Sequence, residues 1–268
     1  TDLDGTLLSP GAFVASRTAA TVDAVVASGV EVVVVTGRSH HSAVPLLEKV
    51  AGVRWLLCSN GATLYDRQVG AIVHQRPFTP HQRATAIEST RAAFPAVGLA
   101  WETADGLFHS KQWVLNRRRS EPRFNPTHSQ LVDRPDPDRH DVVKLMLAHD
   151  ELLTYDWLDA LLPHLPDDVS ASTSGATFVE VTRGDANKGT ALADLCAQLG
   201  VDQAHTMAFG DHSNDLGMLQ WAATGFAMAN ADQRVLSVAD LMAPHHADHG
   251  VAQILEQLFG IDPELPDS

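Results

Sequence analysis

The chain predicts an α/β protein: a doubly wound, mostly parallel sheet interrupted by an inserted α+β segment. Three observations carry this. Short apolar runs alternate with helical patterns from the start to about residue 62, and again from Asn187 onward. Between about residues 80 and 183 the alternation is lost. Clusters of polar residues fall where predicted strands end or helices begin.

The elements follow in order. Asp2 and Asp4 sit two apart at the start, followed by Gly5 and Thr6. On an extended backbone, residues two apart point the same way, so both carboxylates are expected to aim at one spot. No apolar run precedes them, so the first core strand is expected to be truncated. That would leave a gap in the central sheet and Asp2 on a mobile end. Ser16 to Ser28 is Ala- and Val-rich with helical spacing, closed by Gly29. Val30 to Val35 reads as a buried parallel strand ending in Thr36-Gly37-Arg38. Ser42 to Val50 reads as a helix, and Trp55 to Cys58 as a strand ending in Ser59-Asn60-Gly61-Ala62.

In the middle, Thr79 to Phe94 is a helical pattern. Val97 to His109, Val142 to Ala148 and Ser170 to Val181 read as strands, with a helix from Glu151 to Leu162. The polar stretch Asn116 to Arg139 reads as a solvated loop containing Arg117-Arg118-Arg119. Helices are then expected at Lys188 to Leu199, Leu216 to Ala222 and Val251 to Phe259. Strands are expected at His205 to Phe209, Gly225 to Ala229 and Leu241 to Ala243. The domain assignment is a core at 1–79 with 184–268 and an α+β insert at 80–183.

The chain has 268 residues and 44% hydrophobic content, enough for a substantial core. Its 19 basic and 33 acidic residues give a formal net charge of −14. That balance argues against nucleic acid or an anionic membrane as partner. Cys58 and Cys196 are the only cysteines, which suits a reducing cytoplasm. No apolar run approaches the roughly 20 residues that span a bilayer. The Ala, Val and Arg content suits a GC-rich bacterial source.

Four polar clusters converge if the sheet is parallel, because the carboxyl ends of its strands then line one edge. They are Asp2 with Asp4, Thr36-Gly37-Arg38, Asn187-Lys188-Gly189, and Gly210-Asp211 with Asn214-Asp215. Hard carboxylate oxygens suit a magnesium ion, while an ammonium and loop N–H groups suit a phosphate. Lys188 opens a helix, where a cation opposes the macrodipole. That misfit favours a role at a site.

Together, Asp2-Leu-Asp4-Gly-Thr, Thr36-Gly37-Arg38, Lys188 and Gly210-Asp211-His-Ser-Asn214-Asp215 resemble the haloacid dehalogenase superfamily of phosphohydrolases. Ser59-Asn60-Gly61-Ala62, Met228-Ala229-Asn230-Ala231 and Gly250-Val251-Ala252 resemble its Cof-type branch. The resemblance implies a Rossmann-like core, with the insert as a cap. It implies magnesium-dependent hydrolysis of a small phosphorylated metabolite, a sugar phosphate or cofactor-related phosphate, through an aspartyl-phosphate. Asp2 is then the nucleophile and Asp4 the acid and base, protonated at the start by crowding with other carboxylates. The metal falls to Asp2, the main-chain carbonyl of Asp4, Asp211 and Asp215. Phosphate falls to Thr36, Gly37, Lys188 and Asn214, with Asn60 assisting. The alternatives are a phosphomutase and a non-catalytic fragment lacking its first strand.

The remaining motifs read as structural. His40-His41 and His245-His246-His249 are expected on solvated loops, and His212 as a solvent-facing spacer. Trp101, Trp113 and Trp157 are expected in the core, with Trp113 or Phe108 able to touch a ligand. Asp185 reads as a turn residue.

Overall fold

The computed structural model of the chain describes residues 1–122, 129–132 and 140–262. It divides into two compact units, Thr1–His74 with Lys188–Ser268, and Gln75–Asn187.

The first unit begins with a wide turn over Leu3–Leu7, closed by Leu8 N donating to Leu3 O at 2.9 Å. Helix α1 (Ser16–Ala27) leads to strand β1 (Val33–Val35), shorter than the apolar run Val30 to Val35 suggested. The helix expected from Ser42 is instead α2 (His40–Ala43) running into a tight turn at Val44–Leu47. Pro45, with no N–H to donate, stops it there. Strand β2 (Trp55–Cys58) follows as expected. Two strands were not foreseen: β3 (Thr63–Asp66) folds back antiparallel on β2, and β4 (Ala71–Gln75) lies beside β3.

The second unit holds α3 (Pro80–Ala93), started by a capping box between Thr79 and Gln82. The single strand expected from Val97 is a hairpin, β5 (Gly98–Thr103) and β6 (Gly106–His109), turning at Ala104-Asp105. Helix α4 (Lys111–Ser120) covers the start of the expected polar loop. That expectation is corrected by burial. Asn116 is 1% exposed and donates to Ala96 O and Ala148 O. The Arg117 guanidinium lies over the Trp113 and Phe178 rings and pairs with Glu121. The rest of the expected loop holds β7 (Ser129–Leu131), while 123–128 and 133–139 lie outside the described residues. Then come β8 (Lys144–Ala148), α5 (Thr154–Leu161), β9 (Val169–Ser172) and β10 (Val179–Arg183). The last two replace the one strand expected from Ser170. The sheet order is β7-β6-β5-β8-β10-β9, antiparallel except for β6 beside β7.

Trp101 and Trp157 are buried in one core of this unit with Leu99, Leu145 and Val181, and Trp113 is buried in a second. At 2% exposure Trp113 does not present itself to a ligand. The two connecting stretches are bonded to each other, Arg76 to Asp185 O and Arg183 to Pro77 O. The units accordingly divide after His74 and after Asn187, outside the expected 79/80 and 183/184.

The chain returns to the first unit with α6 (Lys188–Leu199), β11 (Met207–Gly210), α7 (Leu216–Trp221), β12 (Thr224–Met228), α8 (Gln233–Leu236), β13 (Leu241–Ala243) and α9 (Gly250–Phe259). β1 and β2 run parallel, as do β11, β12 and β13. Side chains alternate across these strands. Val34, Leu56, Phe209 and Phe226 share a core with Val22 and Val25 of α1 and Val251 and Leu255 of α9. Val35, Leu57, Ala208 and Ala227 share another with Leu192 and Leu195 of α6 and Met218 and Leu219 of α7. Helices therefore cover both faces, as a doubly wound sheet requires. Each fully buried Val or Leu in these cores contributes roughly 1.5–3 kcal/mol.

Thr1 and Asp2 stand between the two parallel sets. Thr1 N donates to Val33 O and Val35 N to Thr1 O, both at 2.8 Å, while Asp2 N donates to Phe209 O at 2.9 Å. The main chain at Asp2 is thus bonded on both sides and Asp2 is 5% exposed, so it does not sit on a mobile end; the parallel strands nevertheless fall into two sheets, β1-β2-β3-β4 and β11-β12-β13, as the expected gap implies. Among the described residues no helix is long and apolar enough to cross a membrane.

Candidate active site

Strand ends bring the expected residues together. Asp211 follows β11, Asp215 ends the short turn Ser213–Asp215 before α7, and Lys188 is the first residue of α6. Lys188 Nζ donates to Asp2 Oδ1 at 2.5 Å and to Asp215 Oδ1 at 2.6 Å, and its side chain is wholly buried. Asp215 Oδ2 accepts from the backbone N–H groups of Asp211 and His212 at 2.9 and 3.0 Å. Thr6 Oγ1 donates to Asp211 Oδ1 at 2.9 Å.

Asp2, Asp211 and Asp215 each offer an oxygen within 4.8 Å of the others, and all three are buried. One ammonium balances one of three carboxylates, and the excess negative charge raises the carboxyl pKa values. Burial and the Asp215 charge push Asp2 up to about 7, against the pull of Lys188. Burial, with Asp2 and Asp215, pushes Asp211 up to about 8. Burial acts to lower the Lys188 pKa, but Asp2 and Asp215 outweigh it and hold the ammonium above its usual range. A buried set of hard oxygen donors carrying excess negative charge fits a divalent cation.

Backbone geometry closes the site. Gly5 has φ +72°, and a Cβ there would come within 2.2 Å of Asp211 Oδ2. A side chain at position 5 would thus be strained twice, by conformation and by contact. At Gly210 a Cβ would meet Asp215 Cβ at 2.5 Å.

Asp4 departs from expectation. Its carboxylate accepts from Arg38 Nε at 2.6 Å and Nη2 at 2.7 Å, its side chain is 46% exposed, and it is absent from the three-acid group. The wide turn at Leu3–Leu7 starts directly after Asp2, so the two acids do not sit on a straight strand. The crowding expected around Asp4 falls on Asp2 and Asp211 instead.

Thr36, just after β1, is 1% exposed; its Oγ1 accepts from Arg38 N at 3.1 Å, leaving the hydroxyl proton to donate. Gly37 lies between these two. Asn60 follows β2 with φ 58°. Asn214 Nδ2 donates to Asn60 Oδ1 at 3.1 Å, while Asn60 Nδ2 and Asn214 Oδ1 are buried with no partner. Two orphaned polar atoms in a polar site mark a place for a ligand.

His41 is exposed as expected, though it and His40 lie in α2 rather than on a loop, while His40, His212, His245, His246 and His249 are partly buried. His212 is half-buried, and burial lowers its pKa. His246 Nδ1 lies 2.7 Å from Leu8 O. Asp185 pairs with Arg183, as suits a turn. Reading for acids and phosphate donors missed Arg38, Thr6 and Asn230 as parts of the site. All three lie in the quoted motifs, but their work is to hold other site groups.

A family model described as haloacid dehalogenase-like hydrolase matches residues 1–255. The chain is 26% identical over 263 residues to Pyridoxal phosphate phosphatase YbhA of Escherichia coli, covering 95% of each chain. It is 27% identical over 284 residues to Phosphatase YwpJ of Bacillus subtilis, covering 96% of this chain and 98% of that one. A solved haloacid dehalogenase-like hydrolase from B. subtilis superposes with a TM-score of 0.81 at 23% identity, over 96% of this chain and 98% of that one. With that family model spanning almost the whole chain and the relatives carrying phosphatase names, the chain belongs to the haloacid dehalogenase-like hydrolases and is an enzyme.

Proposed function

We propose that the chain is a magnesium-dependent phosphatase that cleaves small phosphorylated metabolites through an aspartyl-phosphate on Asp2. The observation that carries this is the buried group Asp2, Asp211 and Asp215 with Lys188 between two of its members. The names of the relatives, pyridoxal phosphate phosphatase among them, support the substrate class.

In this proposal the metal is held by Asp2, Asp211 and the Asp4 carbonyl, with Asp215 supporting. When bound, it offsets the repulsion between an anionic nucleophile and an anionic phosphate. Lys188 steadies Asp2 and neutralises phosphoryl charge. Thr36, Gly37, Asn60 and Asn214 offer hydroxyl, main-chain and amide groups to the phosphoryl oxygens. A carboxylate oxygen of Asp2 attacks phosphorus and forms the O–P bond while the bond to the leaving oxygen breaks. Asp4 gives its proton to that oxygen. It then takes one from the water that cleaves the aspartyl-phosphate, releasing phosphate and restoring Asp2. The acid role needs a proton on Asp4, so it needs the Arg38 pair to open. The base role does not.

The test is hydrolysis of p-nitrophenyl phosphate with magnesium or with a chelator. Turnover is expected only with the metal. Asp2→Asn is expected to lower kcat by roughly 10⁴-fold or more, the scale on which an enzyme loses its nucleophile. Turnover that survives this substitution contradicts the reading.

A further inference from the structure

We propose that Asn230 is a positioning residue for Asp4, acting through the main-chain carbonyl of Gly5. The proposal rests on the phosphatase reading above, in which Asp4 moves the proton. Asn230 lies two residues beyond β12 and far from Asp4 in sequence. Its Nδ2 donates to Gly5 O at 2.8 Å, and its Oδ1 accepts from His246 N at 3.0 Å. Both ends of the amide are therefore used, tying the Leu3–Leu7 turn to the segment after β13.

The Gly5–Thr6 peptide is held from the other side as well. Thr6 Oγ1 donates to Asp211 Oδ1, and Gly5 packs so tightly on Asp211 that no side chain fits. His246 adds a contact to Leu8 O at the end of the turn, and Asp232 N donates to Asp211 O at 2.9 Å. Asp4, by contrast, has a half-exposed side chain paired with the partly exposed Arg38 guanidinium. Once that pair opens, the direction of the Asp4 side chain depends on the backbone that carries it. Asn230 orients the peptide immediately following the Asp4–Gly5 bond. A displacement of about 1 Å at a reacting group is enough to cost a large factor in rate.

The variant that isolates the contact is Asn230→Asp. It keeps an acceptor for His246 N but sets a carboxylate oxygen against the Gly5 carbonyl. Asn230→Ala removes both bonds. The readout is kcat/KM for phenyl phosphate and for p-nitrophenyl phosphate, measured on the same preparation. The two esters share a phenyl ring and a phosphate, but the nitrophenolate leaves without a proton far more readily, so phenyl phosphate leans more on the acid; a variant's ratio is read against the wild-type ratio, which cancels the difference made by the nitro group. Lost folded fraction lowers both values equally and cancels in their ratio.

In both Asn230 variants, phenyl phosphate hydrolysis is expected to fall roughly tenfold more than p-nitrophenyl phosphate hydrolysis. Asp4→Asn is expected to show the same discrimination more strongly. An unchanged ratio in the Asn230 variants, with discrimination in Asp4→Asn, overturns the positioning role while leaving the phosphatase reading intact. Wild-type protein inactive on both esters overturns the phosphatase reading and the proposal with it.

Discussion

Asp2 and Asp4 are separated by one leucine, yet the fold gives them opposite surroundings. Asp2 is buried, tied through its backbone to β11 and through its carboxylate to a buried lysine. Asp4 sits on a wide turn with a half-exposed side chain and an arginine from the loop after β1. The first arrangement fixes a carboxylate in place and burdens it with excess charge. The second leaves a carboxylate reachable and able to change partner. A nucleophile needs the first, because attack on phosphorus demands a held geometry. A group that gives and then takes a proton needs the second, because it must move between two states. The lesson is that sequence spacing placed the two acids side by side, while burial and pairing separated their surroundings.

Three experiments sharpen this contrast, beginning with the largest expected effect. Lys188→Met removes the ammonium bonded to Asp2 and Asp215 and leaves buried carboxylates without it. Breaking a buried pair from one side costs about 3–5 kcal/mol. A denaturant melt of the metal-free variant is expected to show a loss on that scale. A loss below about 1 kcal/mol would mean that the buried pair is not as described.

Next comes pH. Asp2 and Asp211 are pushed up to about 7 and about 8 by burial and by neighbouring carboxylates. The folded state then binds more protons than the unfolded state between the ordinary carboxylate range and those values. Their contribution is fully present below about pH 4 and is lost as pH rises through 7 and 8. Metal-free protein is therefore expected to gain more in Tm from magnesium above about pH 8 than near about pH 5. An equal gain at both would contradict the excess charge inferred at the three acids.

The smallest effect is expected at the other carboxylate. Arg38→Gln breaks a partly exposed pair, worth about 0–1 kcal/mol. Its melt is expected to lie close to wild type, in contrast to Lys188→Met. A large loss of stability would show that the Asp4–Arg38 pair supports the fold.

Much of this site is legible in the sequence. Lys188 and Asp2 are distant in sequence, but parallel strands bring their ends to one edge, so their meeting follows from topology. The helix over Lys188–Leu199 and the strands Trp55–Cys58 and Leu241–Ala243 match the apolar pattern residue for residue. The failures have physical causes. The rule that residues two apart share a direction assumes extended chain, and the Leu3–Leu7 turn breaks that assumption. The stretch from Asn116 looked solvated because its residues are polar. Asn116 and Arg117 are buried because each finds partners, carbonyls for one and two rings with Glu121 for the other. Strands β3 and β4 carry no long apolar run: they are four and five residues long, and β4 is largely exposed. Asn230 was visible only as part of a motif, since a residue that holds a carbonyl carries no chemical signature of its own.

The central claim is that Asp2 alone takes the phosphoryl group while Asp4 moves protons. The direct measurement is rapid acid quench during turnover of a radiolabelled phosphate ester, followed by mapping of the labelled peptide. The account predicts label on Asp2, abolished in Asp2→Asn and retained in Asp4→Asn, where slowed hydrolysis lets it accumulate. Label on Asp4, or turnover with no label on either carboxylate, would contradict it.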